Sequence, residues 1–289
     1  MKITHDVKRK LIQIAAFGFT NSHIENLFPK VKIYTGPWKQ FCHPGLNCHS
    51  CPAASLACPI GALQAVNGSM DFAFSFYVVG FLLAVGVLFG RLICGYLCPF
   101  GLIQEMIAKI PVRKRKLPKW TRFLKYGILV WFVLIWPWLQ KSQNFLGLGD
   151  PTFCEYICPA GMVMAGVPLL LGDGELSSAI GPVFSVKAFV LAVTVIGCVY
   201  VVRFFCKTLC PLGAIYGLLN KVSFYHLSVD PRKCIHCGKC SGVCPMDVDP
   251  VKELCSAECI RCGKCACACE QRAIRLGFGT EKKKGGCEE

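Results

Sequence analysis

Acidic residues are scarce in this chain. Of its 289 residues only 17 are Asp or Glu, against 32 Lys or Arg, for a formal net charge of +15. Such basicity raises the question of a nucleic-acid partner, but the aromatic–basic interleaving of a nucleic-acid groove is missing, so no nucleic acid is expected. A phosphate-binding P-loop and a Ser-His-Asp pattern are missing too, which leaves redox chemistry as the class of any catalysis. No signal peptide with an A-x-A cleavage site is expected at the N-terminus.

Apolar residues and cysteines are what the chain has in quantity. Hydrophobic residues make up 54% and the mean hydropathy is +0.48, values of a membrane protein. Twenty-two cysteines exceed what core packing uses. A secreted disulfide framework fits poorly, because the densest cysteines stand in C-x2-C-x2-C runs whose neighbours rarely bridge. Metal-bound thiolates are the better reading.

Four apolar stretches are expected to cross a membrane: 11–28, 72–93, 123–140 and 180–202. Basic charge orients them. Residues 91–125 hold nine Lys or Arg and the portion from 203 holds fourteen, whereas 28–71 holds three and 141–187 two. The positive-inside rule then puts both termini in the cytoplasm. It also makes 11–28 cross despite its polar end, with a rise of about 27 Å. Residues 159–171 are apolar but too short to span. The expected division is a membrane domain over 1–225, an α+β domain over 226–278 and a charged tail over 279–289.

The C-terminal cysteines carry the sharpest signal. CIHCGKCSGVCP (234–245) and CIRCGKCACACE (259–270) both have the spacing C-x2-C-x2-C-x3-C. That is the pattern of bacterial two-cluster ferredoxins, in which the fourth cysteine ligates the other cluster. Cluster one is assigned Cys234, Cys237, Cys240 and Cys269, and cluster two Cys259, Cys262, Cys265 and Cys244. Glu270 stands where that pattern usually has Pro, and Cys255 and Cys267 are left over.

A second motif recurs. CPIG (58–61), CPFG (98–101), CPAG (158–161) and CPLG (210–213) each place a cysteine before a Pro suited to the first turn of a helix. The N–H groups and positive end of that helix then face an anion, such as a thiolate-bound cluster. Two copies extend to Arg-x2-Cys-x3-Cys-Pro-x-Gly at 91–101 and 203–213. Cys94, Cys98, Cys206 and Cys210 would form one [4Fe–4S] site at the cytoplasmic face. Arg91 and Arg203 either hold its charge or are ordinary flanking arginines. On the outer side Cys51, Cys58, Cys154 and Cys158 are favoured for a further cluster, with Cys48 as the substitute. The remaining outer cysteines could form a disulfide, or two clusters could be completed by His43 or His49. No role is read for Cys42, Cys198 or Cys287.

These residues resemble the NapH-like ferredoxin-type membrane proteins, the quinol dehydrogenase membrane components associated with periplasmic nitrate reductase. The membrane core also looks like part of the nitrous-oxide reductase regulator family. The likeness covers about residues 75–275, and the outer CHPGLNCHSCPAASLACPIGALQ (42–64) departs from the nitrate-reductase type. The resemblance implies an electron-transfer subunit of the cell inner membrane, with a quinone or quinol as membrane substrate and a redox protein or oxidoreductase as partner. His23 and Glu25, and more weakly Glu105, are candidates for handling protons. A redox assembly factor or sensor for metalloenzyme maturation is the alternative.

Overall fold

The structure, a computed structural model, describes residues 2–27, 31–68, 75–143, 149–172 and 181–278, and helices dominate them. Helix α1 (Lys2–Thr20) starts earlier than the expected 11–28 segment and also ends earlier. At its end the Thr20 hydroxyl donates to the Ala16 carbonyl at 2.8 Å, and both the backbone N–H and the side-chain amide of Asn21 donate to the Phe17 carbonyl at 3.0 Å.

Short helices are interspersed among long ones. After α2 (Pro59–Asn67) come α3 (Ser75–Phe89), the single turn α4 (Leu92–Tyr96) and α5 (Pro99–Ile107). Then follow the long α6 (Lys119–Ser142), the wide turn α7 (Phe153–Ile157) and α8 (Pro159–Gly172). Helix α9 (Pro182–Tyr200), the single turn α10 (Phe204–Thr208) and α11 (Pro211–Leu219) complete this part.

Among the described residues, two helices, α6 and α9, are long and apolar enough to cross a membrane. Helix α3 has 15 residues, and positions 72–74 of the expected 72–93 segment lie outside the described set. Helix α1 carries Asp6, Lys8, Arg9 and Lys10 in its first half, which lowers its apolar character. Helix α8 is apolar and short, as its sequence implied.

Pro137 shapes α6. It cannot donate to the carbonyl four residues back, and the helix widens over Leu129–Ile135 before it. The acceptors so released are reused: Asn67 donates to the Val133 carbonyl at 3.4 Å and the Thr152 hydroxyl to that of Phe132 at 3.1 Å. These bonds tie α6 to the ends of α2 and α7.

At the C-terminal end β1 (Tyr225–Val229) pairs antiparallel with β2 (Ile274–Phe278), from Tyr225 opposite Phe278 to Val229 opposite Ile274. Between the strands lie the one-turn helices α12 (Lys239–Gly242) and α13 (Lys264–Ala268). Each starts on a left-handed glycine, Gly238 at φ +73° and Gly263 at φ +77°, directly after the second cysteine of its run. This unit is bonded to the helical part. Asn220 donates to the carbonyls of Ser256 and Cys259, each at 2.9 Å, and Lys207 pairs with Asp247 at 2.5 Å. The expected tail 279–289, with Cys287, lies outside the described residues.

Candidate iron–sulfur centres

All four CPxG motifs fold alike. Cys58, Cys98, Cys158 and Cys210 each stand in extended conformation immediately before a helix whose first residue is Pro. The backbone N–H of the Gly three residues on, Gly61, Gly101, Gly161 or Gly213, points back to the thiol. In the three C-x3-C-P copies the second cysteine also closes the preceding turn, donating to the residue five back: Cys98 to Ile93 at 3.0 Å, Cys158 to Phe153 at 2.9 Å and Cys210 to Phe205 at 3.0 Å. One local recipe therefore presents each sulfur with donors behind it.

The structure brings Cys94, Cys98, Cys206 and Cys210 together as buried neighbours. Their frame is crossed. Arg91, from the first motif, donates to the Cys206 carbonyl at 3.2 Å, and Arg203, from the second, donates to the Cys94 carbonyl at 2.5 Å. Both guanidinium groups are fully buried. Arg91 also meets Glu258 at 2.9 Å, a carboxylate shared with Lys125, while Arg203 meets Glu105 at 2.8 Å, shared with Arg9 at 2.6 Å. They are structural cations of the site and not loose flanking charges.

Cys48, Cys58, Cys154 and Cys158 form a second group of neighbours. Cys51, which the sequence favoured over Cys48, turns toward Asn21 at the end of α1, with its sulfur 3.8 Å from the side-chain oxygen. The sequence could not weigh this, because Asn21 is thirty residues away. Lys39 and Lys187 stand near Cys48 and supply the positive charge that arginines supply at the first group. His49 is exposed, and the Nδ1 of buried His43 accepts the Gly45 N–H at 2.9 Å.

In the C-terminal unit Cys244, Cys259, Cys262 and Cys265 are neighbours and line one pocket, walled by Leu227, Met246, Val248 and Leu254. The fourth cysteine of the first run thus joins the second run, as its spacing implied. Cys240 faces Cys234, and Cys269 packs on the small core that holds Cys240.

The groups are contiguous. Gly95, between Cys94 and Cys98, packs on the backbone of Ile260 and Cys262. The loop 42–46 runs down to Cys98, whose sulfur accepts from the Leu46 N–H. Buried Tyr216 donates to the Pro44 carbonyl at 2.8 Å and has Cys94, Cys98 and Cys58, from both groups, and Cys42 among its neighbours.

Electrostatics favour a cationic core in each group. Burial, followed by the charge of neighbouring thiolates, pushes Cys98 and Cys158 up to about 12, so the sulfurs need compensating positive charge to ionise. Among the described residues no three His, Cys, Asp or Glu side chains converge on one metal ion. A cubane asks for a different arrangement, with each thiolate on its own iron and the ligands standing apart around the cluster. Sets made wholly of cysteine, enclosed by apolar walls and backed by N–H donors, fit that group.

The proposed proton-handling residues sit elsewhere. His23 and Glu25 pair with each other at 2.9 Å at the surface, with His23 stacked on Tyr34. Glu105 is consumed by its two arginines. Sequence reading missed Arg9, Tyr216, Gln64 and Gln104. A signal did exist for the glutamines: each lies six residues after the cysteine of a CPxG copy.

Two family matches agree with this geometry. A 4Fe-4S binding domain family matches residues 71–118, 145–172 and 183–228, and another of the same description matches 227–248. Among curated relatives, an uncharacterized protein of Methanocaldococcus jannaschii is 24% identical over 68% of this chain and 76% of its own length. The methylamine utilization ferredoxin-type protein MauN of Paracoccus denitrificans is 29% identical over 57% of this chain and 50% of its own. The ferredoxin-type protein NapH of Haemophilus influenzae is 28% identical over 55% of this chain and 49% of its own. The chain thus spans about half the length of the last two relatives. No solved structure matches.

Proposed function

We propose that this chain is a NapH-like, ferredoxin-type 4Fe–4S protein that moves electrons between a membrane quinone pool and a soluble redox partner through four [4Fe–4S] clusters. Two belong to the C-terminal ferredoxin unit over 226–278. A third is held by Cys94, Cys98, Cys206 and Cys210 at the cytoplasmic face, and a fourth by Cys48, Cys58, Cys154 and Cys158 toward the outer face. The chain crosses the cytoplasmic membrane four times with both termini inside.

The contiguity of the cysteine groups carries this reading. Gly95 packs so closely on the C-terminal unit that a Cβ there would lie 2.7 Å from the Ile260 carbonyl, and Tyr216, bonded to Pro44, neighbours cysteines of both CPxG groups. A [4Fe–4S] cluster supplies one-electron exchange with little rearrangement. The protein's part is to hold the four sites close together, enclose them in apolar surroundings and set their charge with Arg91, Arg203, Lys39 and Lys187.

Rapid mixing of the purified, oxidised protein with a menaquinol or ubiquinol analogue tests the substrate. Bleaching of the iron–sulfur absorbance within the time of turnover supports the reading. Clusters that dithionite reduces and quinol does not would contradict the quinol assignment and favour an assembly or sensing role.

A further inference from the structure

Two buried glutamines do the same thing in two places. Gln64 donates from Nε2 to the sulfur of Cys154 at 3.2 Å while its Oε1 accepts the Phe153 N–H at 2.9 Å. Gln104 donates from Nε2 to the sulfur of Cys206 at 3.1 Å while its Oε1 accepts the Phe205 N–H at 3.1 Å. Both side chains are fully buried. Each reaches from one CPxG helix to the first cysteine of the C-x3-C turn opposite. The amide orientation is fixed by chemistry: a backbone N–H only donates, so the oxygen must face it and the NH2 must face sulfur.

The two helices that carry them match in sequence, CPIGALQ at 58–64 and CPFGLIQ at 98–104. The two turns they grip also match, as Phe-Cys-x3-Cys-Pro-x-Gly at 153–161 and 205–213. The outer group is therefore built as a second copy of the inner one, although its remaining ligand, Cys48, comes from an irregular loop.

We infer that Gln64 and Gln104 are equivalent positioning residues that set the reduction potentials of the two CPxG clusters through N–H···S bonds to Cys154 and Cys206. This rests on the reading above that these cysteines hold clusters. The reduced cluster carries one more negative charge than the oxidised one. A donor on a ligating sulfur stabilises the reduced state more, and so raises the potential. Removing the donor lowers it.

The test uses the full chain with its clusters assembled, titrated by EPR. Gln64→Leu is expected to shift one signal to lower potential and Gln104→Leu a different one, with the ferredoxin pair unmoved. The expected size is about a tenfold change in the reduced-to-oxidised ratio at fixed potential, about 59 mV for one electron. Pulsed EPR on wild type labelled with side-chain 15N glutamine covers the case in which a Leu variant fails to fold. It should show 15N coupling in two clusters. Unshifted potentials, or four clusters without 15N coupling, would overturn the inference. A wild-type chain with only the ferredoxin pair of signals would instead sink the reading on which it rests.

Discussion

Arg91 and Glu258 meet at 2.9 Å with almost no exposure, joining the CPxG core to the residue before Cys259. Glu258 also neutralises Lys125, so one carboxylate answers two buried cations. Removing one partner of a buried pair strands the other's charge and costs about 3–5 kcal/mol. Glu258→Ala should therefore destabilise the folded chain by at least that much in denaturant titration. It should also loosen the C-terminal unit, detectable as faster proteolysis between residues 226 and 278.

Glu105 gives a pH dependence with a definite sign. Burial alone would raise its carboxyl, but the nearby Arg203 and Arg9 override burial and hold it at about 2. A depressed folded value means stability that is fully present above the unfolded value near 4.5 and is lost as pH falls toward 2. The gap in unfolding midpoint between wild type and Glu105→Gln should be widest at neutral pH, on the order of 3 kcal/mol. It should narrow as pH drops below about 5. A gap independent of pH would show that the carboxylate charge is not what stabilises the site.

Loop 42–46 should tolerate almost nothing at Gly45. A Cβ there would lie 2.8 Å from the Cys98 Cα, a backbone atom that cannot swing aside. Gly45→Ala should push the loop off Cys98 and lower iron content. Tyr216→Phe is gentler: it leaves the Pro44 carbonyl without its buried donor, at about 1–3 kcal/mol. Iron content and unfolding midpoint should rank Gly45→Ala as the more damaging of the two.

The proposed fourth cluster separates two neighbouring cysteines. Cys48→Ser should lose about four iron atoms per chain, the content of one cubane. Cys51→Ser should keep its iron, because its thiol faces Asn21. The reverse result would restore the ligand set that the sequence alone favoured.

The ferredoxin runs were legible because their ligands are local. Three cysteines and a left-handed glycine within seven residues leave the chain one way to turn, and Cys244 joins Cys259, Cys262 and Cys265 as the spacing implied. The CPxG helix starts were legible for the same reason, since Pro and the cysteine before it determine both conformation and donors. Less visible was anything decided across the chain. The thiol of Cys51 meets Asn21, thirty positions back in the chain. Arg9 finds Glu105 across 96 positions, and Tyr216 finds Pro44 across 172. The helix α1 at Lys2–Thr20 also starts and ends earlier than the 11–28 segment that hydropathy and charge marked.

Iron and acid-labile sulfide per chain test the central claim most directly. Four clusters predict about sixteen of each in the anaerobically purified protein, with four separable EPR signals on reduction. A content near eight, confined to the ferredoxin pair and unchanged by Cys98→Ser or Cys210→Ser, would contradict it.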